Sequence, residues 1–109
     1  MTLKKTATSK RIKLPREVDY AKSFKKDWDR LVKSGRYDMK RLKEVMLLLI
    51  ANNSLLGPQW RDHQLSGEWV GHRECHIGGD FLLVYMLDVT RKPGMIVFVR
   101  AGTHAELFK

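Results

Sequence analysis

The stretch RECHIGGDFLLVYMLD, residues 73–88, decides the fold. Its second half, Phe81 to Leu87, is apolar at odd and even positions alike. A strand with one wet face alternates polar and apolar, so a run without alternation predicts a central strand covered on both sides. Arg73 to Ile77 is predicted as the strand before it, with Gly78-Gly79 turning one into the other. A third strand is predicted over Met95 to Arg100, after a turn at Arg91-Lys92-Pro93-Gly94. Short turns join all three, so they read as an antiparallel meander.

Upstream, the apolar period changes from two toward four. REVDY, Arg16 to Tyr20, alternates weakly and predicts a short strand. Ala21 to Lys33 carries Phe24, Trp28, Leu31 and Val32, a helical stripe. Ser34-Gly35 supplies a stop, because glycine accepts the left-handed conformation that follows a helix. Asp38 is predicted to cap the next helix, whose inward face is Met39, Leu42, Val45, Met46, Leu49 and Ile50; Asn52-Asn53 closes it. Gln59 to Gly71 is polar and glycine-spaced, and predicts an ordered loop anchored by Trp60 and Trp69. The chain finishes on one expected helical turn after Gly102-Thr103-His104. The sum is α+β, a helical hairpin followed by a meander for it to cover.

At 109 residues, 43% of them hydrophobic, the chain suits one small domain. Its single cysteine, Cys75, excludes an internal disulfide and suits a reducing compartment. No apolar run, Met46 to Ala51 included, is long enough to cross a bilayer, and no signal-like segment follows the basic start. A cytoplasmic location without membrane contact is therefore expected. Of the formal net charge of +9, residues 1–16 contribute +6, from Lys4, Lys5, Lys10, Arg11, Lys13 and Arg16. Residues 1–15 are read as a mobile basic arm and residues 16–109 as the folded domain. Such an arm either seeks phosphate, releasing condensed counterions, or merely solubilises.

The chemistry gathers at one sheet end. All four histidines fall from His63 onward, outside the two helices. The Gly78-Gly79 turn brings His76 and Asp80 together, and antiparallel pairing returns Arg100 and His104 beside them. His63 is expected to join from the loop. Histidine titrates near neutrality, so one can accept a proton while another donates one. Arginine offers a permanently charged fork to phosphate. That set suits cleavage of RNA by its own 2′-hydroxyl: a base removes the proton, an acid protonates the departing 5′-oxygen, and a cation stabilises the pentavalent phosphate. No metal or other cofactor is required by it. Zinc is the sharpest rival, although His63, His76 and His104 form no paired ligand motif. Cys75 alternates with His76 and is read as a core thiol rather than a nucleophile.

The ordered blocks WRDHQLSGEWVGHRECHIGGDFLLVY and VRAGTHAELF resemble the YafQ-type branch of the RelE superfamily, endoribonuclease toxins of type II toxin–antitoxin pairs. The pattern runs from about Gln59 to Phe108: an Asp-His, Leu-x-Gly-x-Trp-x-Gly, Arg-x-x-His, an Asp-aromatic, and a closing Arg-x-Gly-Thr-His-x-x-Leu-Phe. The resemblance implies a microbial RNase (RelE-like) fold, with two N-terminal helices packed on a mostly antiparallel twisted sheet. It implies cleavage of messenger RNA in the ribosomal A site and inhibition by a DinJ-like antitoxin. Operator DNA would be met only through the antitoxin complex. Carried onto matching positions, the catalytic residues would be His63, His76, Asp80 and His104, with Arg100 upstream of the Gly-Thr-His and Phe108 positioning substrate. Phe81 stands where a tryptophan also fits the pattern, and Phe81 and Arg73 are further candidates for substrate contact. Two other classes stay open: a non-catalytic basic module that binds RNA or an antitoxin, and a metal-dependent hydrolase.

Overall fold

The computed structural model describes residues 14–108; all but the last two residues of the expected basic arm lie outside them. Five strands form one sheet in the order β1-β5-β4-β3-β2. They are β1 (Glu17–Tyr20), β2 (His63–Gln64), β3 (Arg73–Gly78), β4 (Phe81–Asp88) and β5 (Met95–Gly102). Three α-helices accompany them among the described residues: α1 (Lys22–Ser34), α2 (Met39–Ala51) and a terminal turn, α3 (His104–Leu107). The predicted meander is β3-β4-β5, antiparallel throughout, and β4 is the middle strand of the sheet. The predicted first strand pairs with β5 in parallel, which makes the sheet mixed.

The local signals act as read. Gly35 takes φ 67° and ends α1. The Asp38 carboxylate accepts from the Arg41 amide at 2.9 Å, and Asn52 closes α2 at φ 57°. The β3–β4 turn sits one residue later than predicted. Gly78 still pairs with Phe81, so Gly79 and Asp80 form the turn and Asp80 stands outside the strand. Gly79 permits this, since its φ of 54° disfavours any side chain.

β4 divides the interior in two. Phe81, Leu83 and Tyr85 face the helices and pack with Phe24, Leu31, Leu42, Val45 and Leu49. Leu82 and Val84 face the other way, against Leu107, with Leu65, Trp69, Val99 and Phe108 around them. The unbroken apolar run of β4 is thus explained by cover on both faces. Trp60 is buried and Trp69 half-buried, the anchoring role expected of both. No helix among the described residues is long and apolar enough to cross a membrane.

Candidate active site

Pairing decides which side chains share a surface. Opposed residues on neighbouring strands point to the same face. His63 opposes Glu74, Glu74 opposes Val84, and His76 opposes Leu82. All three polar residues therefore lie on the face away from the helices, beside the smaller apolar cluster. Four rings follow one another across this face. His63 and His76 are 6.1 Å apart between centroids, His76 and His104 6.3 Å, and His104 and Phe108 5.8 Å. Phe108 rests edge-on against Trp69 at 5.3 Å. The convergence of His63, His76, Asp80 and His104 expected from topology is present.

Two carboxylates hold the imidazoles. His104 Nδ1 lies 2.6 Å from Asp80 Oδ1, and the His104 amide donates to the same oxygen at 3.2 Å. Donation from the His104 ring, then from its amide, keeps the Asp80 carboxyl below its ordinary value. Asp80 is thereby an acceptor at neutral pH, and the opposite ring nitrogen, Nε2, is left to meet a ligand. Glu74, only 3% exposed, serves the other two rings. Its Oε2 is 3.3 Å from His63 Nε2 and 3.5 Å from His76 Nε2. His63 Nδ1 also lies 2.8 Å from the Arg61 carbonyl, so both nitrogens of this ring face an oxygen.

His104 is positioned by a network built on α1. Asp27 is 5% exposed, and its carboxylate accepts from Arg100 at 2.7 and 3.2 Å, from Arg30 at 3.2 Å and from the Ala101 amide at 3.0 Å. Burial alone would raise its pKa; the bonds from Arg100, Ala101 and Arg30 outweigh that and lower it. Arg30 reaches on to Glu106 at 2.7 Å. Glu106 and Thr103 form a reciprocal capping box that starts α3 at His104. Gly102 is needed for close approach: a Cβ there would meet Glu106 Oε1 at 2.6 Å.

Three residues expected at the site are engaged by other parts of the fold. Arg100 was expected to grip phosphate, but its fork is bound to the buried Asp27, which needs a cation more than solvent-exposed phosphate does. Arg73 likewise pairs with Asp62 at 2.8 Å, and Tyr85 donates to the same carboxylate at 2.5 Å. Burial, then the Asp62 contact, raises the Tyr85 hydroxyl well above its usual range, so it stays a donor. This cluster holds the loop that carries His63. Phe81 is 6% exposed, and its ring packs against Tyr37 at 4.9 Å between centroids. Cys75 is fully buried, and burial pushes its thiol up, as a core role requires.

Glu74 is the site residue that sequence reasoning passed over. Its signal was strand alternation, which sets it on the His76 face two residues away. His63, Glu74 and His76 also offer one ligand atom each within 4.8 Å of one another. Two imidazoles and a carboxylate suit zinc or copper chemically. An apolar groove of about 480 Å³ under Tyr20, Phe24, Trp28 and Met46 includes none of these groups.

A family model described as "Bacterial toxin of type II toxin-antitoxin system, YafQ" matches residues 16–109. The mRNA interferase toxin YafQ of Escherichia coli is 39% identical over 95 residues, covering 87% of this chain and 98% of that protein. The crystal structure of the E. coli DinJ-YafQ complex superposes with a TM-score of 0.74 at 37% identity, covering 86% of this chain and 99% of the other. A metal-bound toxin from Helicobacter pylori does so at 0.73 and 38%, covering 85% and 99%. A model match across nearly the whole chain, together with that level of identity, means that the chain belongs to the YafQ family of bacterial type II toxins.

Proposed function

We propose that the protein is an mRNA interferase, an endoribonuclease that cuts messenger RNA in the ribosomal A site and is silenced by a DinJ-like antitoxin. The observation that carries the catalytic reading is the 2.6 Å contact between Asp80 and His104, with His76 one ring away. Asp80 orients His104 so that Nε2 meets the scissile nucleotide. His104 and His76 divide the two proton transfers. One removes the 2′-hydroxyl proton as that oxygen attacks phosphorus; the other protonates the 5′-oxygen as the P–O5′ bond breaks. The products are a 2′,3′-cyclic phosphate and a 5′-hydroxyl end. His63, backed by Glu74 and the Arg61 carbonyl and one ring from His76, orients the phosphate. Phe108, seated on Trp69, stacks a neighbouring base. Acid–base catalysis of this kind contributes about a hundred- to ten-thousand-fold.

A second reading is favoured by the His63, Glu74 and His76 cluster, since one related H. pylori structure is described as copper-bound and another as metal-bound. Those three residues would hold a divalent ion, and the ion would supply a Lewis acid. Primer extension on translating messages after induction tests both. Metal-independent cleavage predicts new ends with wild type, none with His104→Ala or Asp80→Asn, and cutting that survives when the protein is treated with chelator and dialysed before it meets translating ribosomes. Ends that persist in both variants would refute the assignment; loss of cutting in chelator would favour the ion.

A further inference from the structure

Beside Asp80, a cleft of about 350 Å³ opens between the turn joining α1 to α2 and the end of the β3–β4 hairpin. It lies around the sheet end from the histidine face, and Asp80 belongs to both. Phe81 forms its back wall and packs against Tyr37. Tyr37 is half-buried and turns the rest of its ring into the cleft. The aromatic surface that the sequence suggested at Phe81 is therefore offered one layer further out, by a residue from the helical turn.

Charge in the cleft is also accounted for. The Arg41 guanidinium rests 4.4 Å over the Trp60 ring and donates to the Ile77 carbonyl, so it is a fixed cation. Among the described residues, Arg36 uses its backbone amide toward Ser34, and no ion pair engages its guanidinium. Each carboxylate that reaches the cleft has one oxygen engaged by the protein: Asp38 caps α2, and Asp80 holds His104. Beside them the cleft offers an anionic ligand one arginine fork, one fixed positive charge and one aromatic ring. A phosphate and a base fit that combination, since arginine forks match phosphate oxygens and every base presents a face for stacking.

We propose that this cleft is a nucleotide subsite for single-stranded RNA, taking the nucleotide next to the scissile bond, with its base on Tyr37 and its phosphate on Arg36. The proposal rests on the ribonuclease reading of the neighbouring histidines. It divides the work between two residues. Arg36 contributes binding that is indifferent to base identity, whereas Tyr37 biases which base is accepted.

The test uses full-length protein and a short single-stranded RNA carrying a 2′-O-methyl group at the scissile position, followed by fluorescence anisotropy. Arg36→Gln is an exposed change and should weaken binding by about fivefold to a hundredfold. On translating ribosomes its cleavage at low protein concentration should fall in step with that loss of binding, with the relative use of cut sites unchanged. Tyr37→Leu should weaken binding similarly and reorder the preferred cut sites, while Tyr37→Phe stays close to wild type. Unaltered affinity in both Arg36→Gln and Tyr37→Leu overturns the subsite. A wild type that binds the RNA through these two residues yet produces no new ends on messages carried by translating ribosomes keeps the subsite and sinks the nuclease reading instead.

Discussion

One oxygen atom, Oε2 of Glu74, lies between two imidazole nitrogens in a nearly dry setting. A buried charge persists only where it is paired, so the two histidines and the glutamate depend on one another. Glu74→Gln keeps the shape and removes the charge. We expect it to lower cleavage about a hundredfold with little change in melting temperature, since the amide still fills the space. Glu74→Ala should lower both. Cleavage by purified protein beside a thermal melt separates the cases; full activity in Glu74→Gln would show that His63 and His76 need no orienting anion. The sequence made His76 and Asp80 visible because chemistry-bearing residues flanked an apolar run. Glu74 was not visible in that way, because inside a strand a glutamate usually marks the wet face, and here a loop and two rings cover it.

The terminal turn α3 is four residues long and is held by other elements. Its anchor is the chain from Asp27 through Arg30 to Glu106, with Arg100 and the Ala101 amide completing the buried end. Asp27→Asn leaves Arg100 without its counter-charge and turns an acceptor into a donor. Breaking a buried pair in this way costs about 3–5 kcal/mol. The pH dependence has a definite sign. The Asp27 carboxyl is lowered in the fold, so its stabilising effect is complete above its unfolded value near 4 and fades as pH falls through the lower folded value. Denaturant midpoints between about pH 2 and pH 6 should fall on the acid side for wild type and change less for Asp27→Asn. Equal slopes in the two proteins would show that another carboxylate governs acid stability. Arg100 thus supports His104 through β5, a part that no spacing in the sequence distinguishes from direct phosphate contact.

At the scale of the whole molecule, β4 separates a large apolar cluster under the helices from a small one beneath the site. Leu83 and Leu82 are adjacent, both fully buried, and belong to different clusters. Leu83→Ala and Leu82→Ala should each cost about 2–5 kcal/mol by lost burial and a residual cavity. Only Leu82→Ala loosens the layer shared by Leu107 and Phe108, so it should also reduce cleavage at temperatures where both variants remain folded. Equal residual activity in the two would mean that the small cluster does not hold α3 in register.

The sequence by itself determined the α+β class, both long helices with their caps, the central strand and the sheet end at which His63, His76, Asp80 and His104 meet. These follow from short-range physics: apolar period, glycine in left-handed turns, and antiparallel return of a short hairpin. Only the tertiary structure decided what the arginines and Phe81 do. A guanidinium near a sheet end serves phosphate or a buried acid equally well on paper. The choice was made by Asp27, 73 residues from Arg100 along the chain, and by Tyr37 folding over Phe81. Contacts between such distant segments arise from how a helix packs across a sheet, which local pattern does not encode.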